Sequence, residues 1–143
     1  MLVNQLLNTK GRQVFTVMPD ERLSSIAALL YTRKVGAFVV TDKAEHVVGI
    51  ISERDIIRAI ATHGADSLNQ PASAFMTKDV IFANMQESVE ALLNRMSDRR
   101  IRHLPVMEGV RLAGIVSIGD LVKARIAVTE YEAQNLRDYI AAG

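Results

Sequence analysis

Two stretches decide the reading of this chain: GIISERD at residues 49–55 and GIVSIGD at residues 114–120. Each runs from a glycine through β-branched residues to a serine and, three positions later, an aspartate. They lie 65 positions apart in a chain of 143 residues. At an offset of 66, Leu23, Ile26, Ala27 and Leu30 fall on Val89, Leu92, Leu93 and Met96. Both sets have the i, i+3, i+4, i+7 spacing of a buried helix face, which predicts helices over about 20–33 and 86–99. Asp20 and Gln86 to Ser88 suit the starts of these helices.

The match continues downstream. RKVGAFVV (33–40) lies over RRIRHLPV (99–106), in each case a basic pair followed by an apolar strand. Polar connections of hairpin length follow at 41–45 and 107–109, and then second strands HVVGIIS (46–52) and RLAGIVS (111–117). The offset drops from 66 to 65 at the shorter second loop, where a repeat tolerates a register change. A helix is predicted after each serine, at about 53–63 and from 118 onward. VFTV (14–17) and VIFA (80–83) add a short strand to each half.

Each half therefore reads β-α-β-β-α, and one such half leaves a face of its small sheet wet. The expected architecture is α/β (α+β): two pseudo-symmetric repeats packed sheet to sheet. The expected boundaries are 10–63 for repeat one, 64–75 for the linker, 76–127 for repeat two and 128–143 for a helical extension. No Pro or Gly interrupts the chain between Asp120 and Gly143. The last helix is thus expected to outrun its repeat and to pack on something, a second copy of the chain being the simplest candidate.

Composition excludes several classes of function. Seventeen Lys and Arg stand against 16 Asp and Glu, a net charge of +1 that announces neither a nucleic-acid nor a membrane partner. Aromatics at 5% are too few for base-stacking platforms. Cysteine is absent, which removes disulfides, thiolate metal ligands and cysteine nucleophiles. The N-terminal MLVNQLLNTKGRQ has no apolar core of signal-peptide length, and IAALLY (26–31) is too short to span a bilayer, so a soluble, cytoplasmic protein is expected. His46, His63 and His103 lack metal-ligand spacing, and no metal is expected. Nucleophile-elbow, Walker and dinucleotide-fingerprint motifs are missing, which points away from an enzyme.

The chemistry lies in the duplicated corner. Gly49 and Gly114 sit inside strands, where glycine marks a close approach of backbone or ligand. Ser52 and Ser117 can cap the helices that follow, whose free N–H groups attract an anion such as phosphate. Asp55 and Asp120 then lie beside the serines and can accept hydrogen bonds from a vicinal diol. Ser-x-x-Asp is also an ordinary capping box, and duplication of the whole package is what favours a ribose joined to a phosphate. Among Arg95, Arg99, Arg100, Arg102, His103 and Arg111, the helical Arg95 and Arg99 are expected to be solvated. Arg102 and His103 open the strand beside the one ending in Ser117, within reach of a phosphate. Arg54, in a first helical turn where a cation is disfavoured, implies a nearby anion or a pair with Asp55 or Glu53.

These residues resemble a pair of cystathionine-β-synthase (CBS) domains, the tandem called a Bateman module, over about residues 10–127. The SERD, RIRHLPV and SIGD blocks and the terminal YIAAG also look like the stand-alone CBS-pair proteins of α-proteobacteria and plant organelles. The resemblance implies a non-enzymatic, energy-sensing regulatory module that binds an adenine nucleotide (AMP, ATP or NAD(H)) in clefts between the repeats. It also implies a homodimer of modules and a regulated partner protein. Asp55 and Asp120 would then bind ribose, and Ser52, Arg54, Arg102, His103 and Ser117 would serve phosphate. Thr16, Val17, Gly36, Ala37, Phe82 and Ala83 would line the clefts around adenine. Val35-Gly36-Ala37 replaces Ile101-Arg102-His103, and Arg54 stands opposite Gly119, so the two clefts should differ. The alternatives are an interaction module without a ligand or a nucleotide-processing enzyme.

Overall fold

The computed structural model describes all 143 residues, which form two compact units: Gln13–Ile81, and Met1–Arg12 together with Phe82–Gly143. The first unit contains β1 (Thr16–Val17), α2 (Leu23–Arg33), β2 (Ala37–Thr41), β3 (Val47–Ser52), α3 (Glu53–His63) and two short 3₁₀ turns at 65–69 and 72–74. The second contains α1 (Val3–Lys10), β4 (Ala83–Asn84), α4 (Val89–Arg99), β5 (His103–Glu108), β6 (Arg111–Ser117) and α5 (Ile118–Ala142).

Each unit has one three-stranded sheet, in order β1-β2-β3 and β4-β5-β6, with the first pair parallel and the second antiparallel. The parallel pair requires a crossover, which α2 and α4 supply. Val17, Leu23, Ile26, Leu30, Phe38, Val40, Ile51 and Ile56 form the core of the first unit. Ala83, Val89, Leu92, Met96, Leu104, Val106, Val116 and Leu121 are their buried counterparts in the second, where Leu7 is buried as well. Both crossover helices end at a non-glycine residue in the left-handed region, Lys34 at φ 56° and Arg100 at φ 55°, as the 66-residue offset requires.

The structure differs from the sequence expectations at three places. The first strands are two residues long rather than four, because only Thr16–Val17 and Ala83–Asn84 pair with the neighbouring strand. Asp20 does not cap α2. Arg22 holds that position without a side-chain hydrogen bond, whereas Ser88 does cap α4 by accepting from the Ala91 N–H at 3.0 Å. Helix α1 was not foreseen, although Val3, Leu6 and Leu7 give it one buried face.

Helix α1 and the end of the 64–75 connection do the same job. The Val3 N–H donates to the Glu87 carbonyl, Asn4 to Met85, and Val89 back to Met1; in the first unit, Ala72 donates to Glu21, Ser73 to Pro19, and Leu23 to Gln70. At an offset of 69, residues 1–7 thus correspond to 70–76. The correspondence ends on the two strand glycines. A Cβ on Gly114 would lie 2.9 Å from Leu7 Cδ1, and one on Gly49 would lie 2.6 Å from Met76 Sδ and 3.0 Å from the Thr77 carbonyl oxygen. The close approach that makes these positions glycine comes from a covering segment of the chain itself.

Candidate functional site

The two Ser-x-x-Asp corners form at the junctions β3–α3 and β6–α5. In the antiparallel pairs, Ala37 stands opposite Ser52 and His103 opposite Ser117, so the residues opening β2 and β5 lie beside the helix starts. The first helical N–H groups are tied to the same place: Glu53 donates to the Gly36 carbonyl at 3.0 Å and Ile118 to the Arg102 carbonyl at 2.8 Å. Both serines have the extended backbone of a cap, and both corners are reciprocal capping boxes. The Ser52 N–H donates to Asp55 Oδ2 at 2.8 Å, and the Ser117 N–H to Asp120 Oδ2 at 2.9 Å.

The cation that meets each aspartate differs. Arg58, one turn along α3, donates to Asp55 Oδ1 at 3.0 Å, while the Ser52 hydroxyl donates to Oδ2 at 3.1 Å. Both carboxylate oxygens are engaged, and the Asp55 side chain is 6% exposed. Asp120 is met by Lys10 of α1, whose Nζ lies 2.6 Å from Oδ2 and also donates to the Ile115 carbonyl at 2.5 Å. Both of these contacts of Asp120 fall on Oδ2, and its side chain is 27% exposed. Burial pushes the Asp120 carboxyl up, but the Lys10 hydrogen bond and charge and the Ser117 groups together hold it below its ordinary value. It is therefore a charged acceptor at neutral pH. At the offset of 69, Lys10 falls on Asp79, so the first corner has no equivalent ammonium.

Of the other sequence candidates, Arg102 is exposed at its corner and His103 is half-buried. Arg54 is exposed and pairs with neither Asp55 nor Glu53; Arg58 takes Asp55 instead. Thr16 and Phe82 are exposed, Gly36 is half-buried, and Ala37 and Ala83 are buried. Val17 belongs to the core, which leaves Thr16 as the exposed residue of β1. In the first unit an open groove of about 660 Å³ runs from Leu30 and Tyr31 past Val35 and Gly36 to Glu53.

Arg95 departs from the expectation of a solvated charge. It forms an ion pair with Glu87 and donates to the Phe82 carbonyl at 2.9 Å, which ties α4 to the turn before it. Its hydrogen bond holds the Glu87 carboxyl below the ordinary value and raises the guanidinium in turn. Arg111 is paired with Glu108, whereas Arg99 and Arg100 are exposed. Nowhere do three or more His, Asp or Glu side chains gather as metal ligands would. No helix is long and apolar enough to cross a membrane. Sequence reasoning missed Lys10, and only a contact spanning more than a hundred residues brings it to the corner.

Comparison with known proteins agrees with this architecture. The CBS domain matches twice, over residues 7–62 and 72–127, and the chain belongs to the CBS-domain family as a tandem pair. It is 37% identical over 127 residues to an uncharacterized 17.7 kDa protein of Acidianus ambivalens, a match covering 88% of this chain and 74% of that protein. It is 30% identical to the mitochondrial CBS domain-containing protein CBSX3 of Arabidopsis thaliana, over 99% of this chain and 72% of the relative. Among solved structures, the CBS-domain containing protein ATU1752 of Agrobacterium tumefaciens superposes with a TM-score of 0.85 at 48% identity, covering 87% of this chain and 92% of its own. The CBS domain pair of protein MJ0100, solved in complex with 5′-methylthioadenosine and S-adenosyl-L-methionine, superposes with a TM-score of 0.79 at 25% identity, covering 89% and 97%.

Proposed function

We propose that this chain is a non-enzymatic, cytoplasmic sensor module that binds an adenine nucleotide of the AMP, ATP or NAD(H) class at its Ser-x-x-Asp corners. It works as a homodimer and conveys its occupancy to a partner protein. The observation that carries the reading is the duplicated corner, in which a carboxylate is held beside the N-terminus of a helix. The carboxylate suits the two hydroxyls of a ribose, and the helix N–H groups suit a phosphate. The adenosine compounds bound by the MJ0100 pair support the ligand class.

The Asp120 corner is the one that takes the ribose. Its side chain is more exposed, and Oδ1 is left for a hydroxyl, whereas both oxygens of Asp55 are already used. Arg102 and the Lys10 ammonium then supply positive charge for phosphate, His103 offers a ring nitrogen to hydrogen-bond it, and Ser117 caps the helix against which the phosphate sits. At the first corner, where both Asp55 oxygens are used, exposed Arg54 offers a cation for phosphate alone. Each unit offers its own surface for adenine, exposed Thr16 and half-buried Gly36 in the first and exposed Phe82 in the second.

A thermal-shift titration with AMP, ATP, NAD, NADH and S-adenosylmethionine tests this. One nucleotide should stabilise the protein, by about 2.7 kcal/mol at a hundredfold excess over its dissociation constant. Asp120→Asn should abolish the shift measured from that variant's own ligand-free midpoint, and Asp55→Asn should leave it. If no nucleotide shifts the wild type, the corners are helix caps and the reading fails. That outcome favours an interaction module without a ligand, a second reading supported by the cation each carboxylate already has within the chain. Nucleotide recovered unchanged by chromatography would separate the sensor from a nucleotide-processing enzyme.

A further inference from the structure

Helix α5 carries two apolar stripes, and its own unit uses only one. Leu121 and Ala124 are buried, Val128 is half-buried, and no residue beyond Ala124 is fully buried. The second stripe is Val122, Ile126, Thr129, Ala133, Leu136 and Ile140, with alternating steps of four and three residues. That is a heptad repeat, with Ile126, Ala133 and Ile140 at its a positions and Val122, Thr129 and Leu136 at its d positions. On a helix of 3.6 residues per turn the stripes lie roughly 130° apart, so packing of one does not cover the other. Ala133 is half-buried and the rest of the second stripe is exposed: Val122 44%, Ile126 53%, Leu136 60% and Ile140 68%. An apolar seam of about 28 Å facing water calls for a partner.

The seam also specifies that partner. β-Branched residues at a with leucine at d favour two parallel strands, and Ile126, Ile140 and Leu136 follow that rule. Arg125 and Glu132 occupy g positions, and Lys123, Glu130 and Arg137 occupy e positions. In a parallel, in-register pair each g residue meets the e residue of the next heptad across the seam. Arg125 then meets Glu130 of the second copy, and Glu132 meets Arg137 of the second copy. The antiparallel pair that overlaps the whole seam sets Glu132 against Glu132, Glu130 against Glu130 and Lys123 against Arg137, all like charges, and shifting it by one heptad leaves an end of the seam uncovered. The present contact of Arg125 with Glu90, at 3.3 Å between exposed side chains, is a weak surface pair that can exchange.

We propose that residues 122–140 form a parallel two-stranded coiled coil with the same segment of a second copy of this chain. The proposal deepens the homodimer of the proposed function and is independent of the nucleotide. Its test contains no nucleotide, so failure leaves the ligand reading standing, and the reverse holds as well. Ala133 and Thr129 narrow the middle of the seam, so the association is expected to depend on concentration.

The full chain contains no cysteine, so single introduced cysteines report the register directly. Under mild oxidation Ile140→Cys should cross-link to a dimer, because facing a positions bring Cα atoms within disulfide reach. Gln134→Cys, on the outer face, should not. Sedimentation across a concentration series should show a dimer for the wild type and a monomer with unchanged circular dichroism for Leu136→Glu combined with Ile140→Glu. Arg137→Glu should weaken the dimer severalfold, and Glu132→Arg added to it should restore the dimer. A monomeric wild type, a dimer indifferent to the Leu136 and Ile140 substitutions, or equal cross-linking at 134 and 140 would each overturn the proposal.

Discussion

The corner at Ser52 and the corner at Ser117 share their backbone and their capping box, and they differ in the origin of the cation on the aspartate. Arg58 is three residues from Asp55 on the same helix and closes that corner from within. Lys10 reaches Asp120 from a separate helix and leaves that carboxylate partly open. The same local sequence grammar thus yields a sealed corner in one unit and an accessible one in the other. A duplicated motif supplies two scaffolds, and the side chain that packs over each decides how exposed its carboxylate stays.

The covering segments offer the strongest way to break this comparison. Leu7 is fully buried and fills the space over Gly114, so Leu7→Ala should destabilise the protein by about 2–5 kcal/mol in urea unfolding. Met76→Ala should cost less, because Met76 is only half-buried. The glycines beneath them invert that order. A side chain on Gly49 meets the Thr77 carbonyl, which is held in place by paired hydrogen bonds to Ile50, whereas one on Gly114 meets only the movable end of Leu7. Gly49→Ala should therefore cost about 1–3 kcal/mol and Gly114→Ala less; equal costs would show that both segments yield alike.

The aspartates sharpen the comparison at a smaller scale. Without ligand, Asp55→Ala should destabilise by about 1–3 kcal/mol, since it leaves the half-buried Ser52 N–H without its acceptor and removes a buried carboxylate's hydrogen bonds. Asp120→Ala should cost less at its more exposed site, although it is the substitution that should remove the nucleotide response. If Asp120→Ala proved the costlier of the two, the assignment of sealed and open corners would be reversed.

The smallest effect is one of pH. The folded-state value of Asp120 lies below the ordinary 3.8, so its contribution is complete above 3.8 and is lost as pH falls through the depressed value. Lys10→Met should raise the Asp120 midpoint in a carboxyl NMR titration. It should also cut that contribution by less than about 1 kcal/mol, as befits a pair with partial solvent access. An unmoved midpoint would remove Lys10 from the corner.

Much of the architecture was legible because it rests on local periodicity. The predicted helix over 53–63 is α3 as observed, and the strand boundaries at Ser52 and Ser117 match. The helix faces led by Leu23 and Val89 are the buried ones. The glycines were correctly read as places of close approach, but the sequence could not say whether ligand or chain approaches. Residues 1–7 and 70–76 share an apolar spacing too short and too divergent to stand out: Val3, Leu6 and Leu7 correspond to Ala72, Phe75 and Met76. Arg95 looked like a solvent-facing charge because its partner Glu87 lies eight residues back, outside the spacing of helical neighbours.

By itself the sequence determined the duplicated β-α-β-β-α grammar, the capping boxes at Ser52 and Ser117 and the heptad along α5. All three depend on interactions within a few residues, which side-chain spacing records directly. Tertiary structure alone decided that α1 covers Gly114, that residues 70–76 cover Gly49 and that Lys10 rather than a helical neighbour meets Asp120. Those contacts form between segments distant along the chain, where burial and complementary shape select the partner and no local pattern encodes it.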